Sequence, residues 1–242
     1  MPIQPVQRSS VSDQVFARLR DGVLTGEYPP ESSLPSERQL SEAFGVNRHA
    51  VREALKRMQQ AQLVDISHGG ATRVRDWRNC AGLDLAVQLA QAGDVLPVRT
   101  LARDMLEMRA CIGADAARLA AERADGPARA AVLLAGRRYA EAGPDLDRLH
   151  AANVLLWRRI VVAAGNVAYL LAFNTLVAHA YAIAPVPAAH RTDELLDTGG
   201  HLQLAEFIAN GYSDDAERLA RHLLSCSAAA AAQEVRAVEG KG

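Results

Sequence analysis

Three cysteines in 242 residues, Cys80, Cys111 and Cys226, stand far apart and form no CxxC pair. Such spacing excludes a zinc ribbon or a disulfide framework and favours a reducing compartment, where the three serve as small buried hydrophobes. No stretch approaches the roughly 18 to 20 uninterrupted apolar residues of a membrane-spanning helix, and the N-terminus offers Gln, Pro and Ser instead of a basic start and a long apolar run. A cytoplasmic protein with no membrane partner is expected. A formal net charge of −1 argues against a diffuse polyelectrolyte. Enzyme signatures are missing too: there is no nucleophile elbow, P-loop, GxGxxG turn after a strand, or HExxH. The carboxylates Glu107, Asp115, Asp145 and Asp147 fall at helix surfaces or near helix starts, where ion pairing or the helix dipole accounts for them. Neither catalysis nor a cofactor is expected.

The positive signals are concentrated in residues 34–75. Ser36 with Gln39 three residues on forms a capping box that opens a short helix carrying Leu40, Ala43 and Phe44 inward. Gly45 allows a sharp helix-to-helix turn, Val46 supplies its apolar plug, and Asn47 caps the second helix. In that helix Val51, Leu55 and Met58 make one buried stripe, while Arg48, Arg52 and Lys56 lie about a quarter turn away. The segments 63–68 and 71–74 flank Gly69-Gly70, a two-residue hairpin signal, so a small β-ribbon with His68 near its tip should come next. Between Asn47 and Arg75 six basic residues face two acidic ones. A winged helix-turn-helix with one basic face, able to meet phosphate and base edges, is the reading that explains all of these signals together.

The pattern LPSER-LSE-GV-R--VREAL is similar to the DNA-binding domain of GntR-superfamily bacterial transcription regulators. Leu34, Pro35, Ser36, Glu37, Arg38, Leu40, Ser41, Gly45, Val46, Arg48, Val51, Arg52, Glu53, Ala54 and Leu55 carry the match. The resemblance implies operator contacts from Arg38, Asn47, Arg48, His49, Arg52, His68 and Gly69. Arg38 has a local alternative as the i+4 ion-pair partner of Glu42. His49 and Ala50 stand where the family often has threonine or proline, which removes a phosphate-contacting hydroxyl.

Ahead of this module, residues 1–9 read as a loose arm, and Val11, Val15, Leu19 and Val23 step into an amphipathic helix ending near Gly26. Residues 10–75 then form the DNA-binding domain, 76–81 a short linker that couples the domains mechanically, 82–236 an all-α antiparallel helical bundle, and 237–242 a tail. The bundle helices are expected at 82–92, 97–124, 127–142, 146–164, 167–183, 193–210 and 213–236, separated by glycine and proline breaks. The fold class is mostly α, with one small β-ribbon.

TRVRDWRNCAGLDLAVQLA, LEMRACIGADAARLAA and AAGN extend the resemblance to the FadR subfamily. It implies a homodimer on a palindromic double-stranded operator and an all-α effector domain. Most members with an FCD-type domain hold a metal through Asp-x3-His and two later histidines, but Asn153 and Trp157 stand at the first two of those positions. His201 and His222 fit the later two, with His150 or His179 as possible recruits, and two imidazoles alone make a poor divalent site. Loss of the metal pair resembles the fatty-acyl-CoA-responsive members. The resemblance therefore implies an acyl-CoA or fatty acid effector and lipid-metabolism genes as targets. The alternative is a small carboxylate or sugar acid with a bound metal. Arg109, Trp157, Asn174, His179, Tyr181, His201 and His222 are the candidate effector residues, although Trp157 could be plain core and Arg109 could pair with Asp104 or Asp115.

Overall fold

The computed structural model describes residues 10–67, 71–86, 89, 98–180 and 188–239. The chain divides into two compact units, Met1–Pro97 and Val98–Gly242.

In the first unit α1 (Val11–Thr25) opens on a capping box between Ser10 and Asp13. It buries Val15, Phe16, Leu19 and Val23, whereas Val11, expected in the same stripe, is half exposed because the first turn runs past the edge of the core. α2 (Glu37–Phe44) starts with the expected box, Ser36 N–H donating to Gln39 Oε1 at 2.9 Å. Leu40 is buried, but Ala43 faces solvent and Phe44 is only half buried, since this helix has a single inward row. Gly45 takes φ +64°, the left-handed conformation that the tight turn to α3 (Arg48–Gln60) demands. Asn47 Oδ1 accepts the Ala50 N–H at 2.8 Å, and Val51, Leu55 and Met58 are buried against α1. Arg57 pairs with Asp13 and lies 4.2 Å over the Phe16 ring, tying α3 to α1.

β1 (Val64–Ile66) and β2 (Thr72–Val74) pair antiparallel, Val64 opposite Val74. Residues 31–34 add a partner that the sequence pattern does not announce: Val74 N–H donates to Ser32 O, and Leu34 N–H to Thr72 O. α4 (Trp77–Cys80), capped by Asp76, occupies the expected linker. The loose arm, the Gly69-Gly70 tip and residues 87, 88 and 90–92 of the helix expected at 82–92 lie outside the described residues.

The second unit is built from α5 (Val98–Arg123), α6 (Gly126–Ala140), α7 (Leu146–Ala163), α8 (Val167–Ala180), α9 (Ala188–Leu196), α10 (Thr198–Asn210) and α11 (Ser213–Glu239). One expected helix, 193–210, is in fact two. Asp197 breaks it because its carboxylate accepts the Gly200 N–H at 2.8 Å, which starts α10 afresh and places Gly199-Gly200 inside its first turn. α11 runs to Glu239, three residues past the expected end.

Alanines let these helices approach closely. Ala114, Ala116, Ala117, Ala120 and Ala121 of α5 are buried against α11, which contributes Ala216, Ala220, Leu223 and Leu224. At Gly113 a Cβ would sit 2.3 Å from Leu224 Cδ1 and 3.3 Å from Trp157, so only glycine fits that approach. The cysteines are not the buried hydrophobes expected of them, because Cys111 and Cys226 fall on the outward rows of their helices and are exposed, and Cys80 is half buried.

Candidate functional site

In the first unit the exposed face of α3 carries Arg48, His49, Arg52 and Lys56. Arg52 does not point freely. Its Nε and Nη2 donate to Glu37 of α2 at 3.2 and 2.8 Å, and the guanidinium holds the Glu37 carboxyl below the usual carboxylate range. A side-on fork of this kind leaves the Nη1 edge available to a base. Arg38 pairs with Glu42 at 3.3 Å, the local alternative noted for it, and Lys56 pairs with Glu53. Arg48 and Arg73 have no carboxylate partner among the described residues. Asn47 spends its side-chain oxygen on the helix cap, and His68 and Gly69 lie outside the described residues.

The second unit holds a buried polar cluster that links α5, α7, α9, α10 and α11. At its centre is Glu194, wholly buried. Arg109 of α5 grips it with both terminal nitrogens, at 2.8 and 2.6 Å; Arg191 Nη2 adds a contact at 3.3 Å and Ser227 Oγ donates at 2.5 Å. Burial pushes the Glu194 carboxyl up, but the two guanidinium groups outweigh it and hold it well below the ordinary range. Burial and then Arg109 push Arg191 down.

Asn153 of α7 joins the two halves of this cluster. Its oxygen accepts from Arg191 at 2.9 Å and Arg109 at 3.4 Å, and its amide nitrogen faces His201 Nε2 at 3.3 Å. His201 Nδ1 lies 2.8 Å from the Asp197 carbonyl, so that nitrogen carries the proton and Nε2 accepts. Burial keeps the His201 ring below its ordinary pKa, hence neutral, and it stacks on Tyr139 at 4.5 Å. Tyr139 donates its hydroxyl to Leu195 O at 2.8 Å, and burial pushes its pKa up to about 12.

Beside the cluster lies a narrow cleft, about 290 Å³ only when the open solvent at its mouth is counted and with inner room for little more than a water molecule, lined by Arg109, Ile112, Gly113, Trp157, Val161, Phe173, Leu176 and Leu224. Among the described residues Arg109 is its single charged wall residue. Two donors close to this region, Trp157 Nε1 and Arg191 Nε, are buried without a hydrogen-bond partner among the described residues.

Arg109, Trp157 and His201 thus come together, as the family resemblance groups them. Others do not join them. Asn174 is exposed and accepts from Arg158, and His222 is exposed on α11, turned away from the buried His201. The His179 side chain and Tyr181 lie outside the described residues. Arg109 pairs with neither Asp104 nor Asp115, which bind Arg103 and Arg118 instead. Glu194, Arg191 and Ser227 carry no signal in the sequence. A carboxylate three residues after an arginine on a short helix reads as a surface pair unless its burial is known.

The two surfaces, a basic recognition helix and a bundle with an arginine-walled cleft, agree with the known proteins that the chain resembles. The model of bacterial regulatory proteins of the gntR family matches residues 11–74, and the FCD domain model matches residues 104–225. The chain belongs to the GntR family. The regulator Mce2R of Mycobacterium tuberculosis is 37% identical over 227 residues, covering 93% of this chain and 92% of that protein. A fatty acid metabolism regulator protein of Serratia proteamaculans is 32% identical over 64% of this chain and 63% of its own length. Among solved structures, a Streptococcus agalactiae GntR aligns over 90% of this chain and 98% of its own, at 20% identity and a TM-score of 0.46. GntR regulators bind DNA and small-molecule effectors, typically as dimers, and are not enzymes. In this GntR protein no helix among the described residues is long and apolar enough to cross a membrane.

The metal that FCD-type domains commonly hold does not fit this GntR chain. Asn153 offers an amide, and an indole N–H such as that of Trp157 is a donor only. The His201 lone pair faces the Asn153 amide, and the central carboxylate is wrapped by two cations that would repel a third. Among the described residues no group of three or more His, Cys, Asp or Glu is placed to hold an ion. His150 lies beside a cation, its Nδ1 3.3 Å from Arg191 Nη1, which disfavours a metal ion there.

Proposed function

We propose that this GntR-family regulator controls lipid-metabolism genes and that a long-chain fatty acid or fatty acyl thioester modulates its affinity for a palindromic operator, which it grips as a homodimer. The observation that carries the effector class is the chemistry of the cleft lining, apolar along Ile112, Gly113, Trp157, Val161, Phe173, Leu176 and Leu224, with Arg109 the one guanidinium among the described wall residues; a long tail enters only as these side chains part. An amphipathic ligand with a long apolar tail and one acceptor head matches that lining. Several relatives are fatty acid metabolism regulator proteins, which supports the same class. A sugar acid with a metal ion is disfavoured because such a ligand needs polar groups along its whole length and the ion lacks its ligands.

On the operator, Arg48 and Arg52 enter the major groove, where an arginine fork pairs with guanine O6 and N7. Arg38, Asn47 and His49 meet the backbone nearby, and His68 and Gly69 serve at the wing. The ligand acts by binding two operator-competence states with different affinity, since only that difference shifts the equilibrium. The test is a titration of full-length Trp77→Phe protein with a brominated fatty acid, which quenches indole fluorescence on contact. Saturable quenching of Trp157 is expected. Unchanged fluorescence with every long-chain lipid would overturn the lipid assignment.

A further inference from the structure

The buried cluster does not balance its own charge. Arg109 and Arg191 bring two guanidinium groups, with side chains 18% and 14% exposed, to one carboxylate, Glu194, which is 0% exposed. The neighbouring His150 and His201 are both held on the neutral side by burial. The nearest other carboxylates, Asp147 beside His150 and Asp197 beside His201, are exposed and screened by solvent. Among the described residues one positive charge is therefore left over in a poorly solvated place, and an uncompensated buried charge is costly.

The surplus has a direction. Arg109 touches both Glu194, deep in the bundle, and the cleft, where it is the single ionised group among the described wall residues. Glu194 has a second cation, Arg191, on its own helix at i−3. A new anion entering from the cleft could take Arg109 and leave Glu194 paired to Arg191 without burying an unpaired charge of either sign.

We infer that Arg109 is a shared guanidinium, held by the internal carboxylate Glu194 when the cleft is empty and handed to the ionised carboxylate of a lipid when it is filled. The inference rests on the lipid reading above and narrows it to a free fatty acid instead of an ester or thioester, whose carbonyl oxygen carries no charge to complete the balance. The handover also loosens α9. Arg109 ties α9 to α5 by an ion pair, so once it turns to the ligand, α9 keeps the Tyr139 bond to Leu195 O, the Ser227 bond to Glu194 and the Arg191 bond to Asn153. The geometry makes Glu194 a competitor of the ligand and α9 the element that registers its arrival.

The experiment compares a brominated fatty acid with its methyl ester and its coenzyme A thioester, read by Trp157 quenching in full-length Trp77→Phe protein. The acid is expected to bind at least about tenfold tighter than the ester, the usual scale of a nearby opposite charge. Glu194→Gln removes the competing charge and should tighten the acid by a further factor of about ten while leaving the ester within about twofold. If Glu194 is only a structural strut, both ligands weaken together and the acid-to-ester ratio stays put, which overturns the proposal. Ser227→Ala loosens Glu194 without unpairing a charge, so it decides the matter if Glu194→Gln fails to fold: the ratio should rise about two- to threefold, the size of one modest hydrogen bond, and an unchanged ratio counts against competition. Acid, ester and thioester binding equally would sink the handover but leave the lipid site standing. No binding by any of them removes both.

Discussion

Replacing Gly113 by alanine probes the wall of the cleft where α5 meets Leu224 of α11. The added methyl would lie 2.3 Å from Leu224 Cδ1 and 3.3 Å from Trp157, whereas carbon atoms pack best at about 3.5 to 4.0 Å. Leu224 is 1% exposed and has no path to solvent, so either α5 and α11 part or Leu224 swings into the cleft whose wall it forms. Overpacking of this kind costs about 1 to 3 kcal/mol, and the gain in helix propensity from glycine to alanine returns about 0.5 to 1 kcal/mol. The two terms leave a net loss of about 1 kcal/mol, between limits of about 0 and 2.5 kcal/mol. Urea unfolding followed by Trp157 emission in the Trp77→Phe background measures it, and the same sample tests for lost quenching by a brominated fatty acid. Ligand-free operator binding should be unchanged, because the substitution lies in the other unit. A stabilising outcome with ligand binding intact would refute both the packing argument and the position of the site.

Other outcomes rest on the same structure. Arg48→Ala should weaken a matched operator by about 1 to 3 kcal/mol and relax base preference at one position, while Lys56→Ala should weaken all sequences evenly and lower the salt slope, as anisotropy at several salt concentrations would show. Glu37→Gln should cost under about 1 kcal/mol of stability, because the pair is exposed, yet broaden the base preference at the Arg52 position in a binding-site selection. Acid should erode the bundle in two steps. His201 and His150 have folded pKa values below their unfolded value of about 6.5, so the unfolded chain takes up protons first and stability falls as pH drops below that value. Glu194 is depressed instead, so its contribution is complete above about pH 4.3 and is lost only as pH falls further through the folded value. Urea midpoints that stayed flat between about pH 7.5 and 5 would contradict the buried neutral imidazoles.

Much of the first unit is legible in the sequence because its signals are local. Ser36 with Gln39, Gly45 and Asn47 act within a single turn of chain, and each takes the geometry its residue type implies. The third partner of the ribbon is not legible, since residues 31–34 pair with β2 through backbone groups that any side chain can carry. In the second unit the helices follow from periodicity, except where Asp197 caps a new helix inside an apolar run. The cluster around Glu194 joins residues 33 to 85 positions apart, and no spacing rule reaches that far. Arg109, Trp157 and His201 can be grouped in advance only through family resemblance, and Arg52 looks free in the sequence because Glu37, its partner, sits on a different helix.

The most direct test of a metal-free lipid sensor is the affinity of the full-length protein for DNA from its own upstream region, measured by fluorescence anisotropy with and without a long-chain fatty acid after exhaustive chelation. A lipid-dependent change in affinity that chelation leaves intact is the predicted result. If the lipid did nothing, and zinc with a small carboxylate changed the affinity instead, the metal-free lipid site around Arg109 and Trp157 would be contradicted.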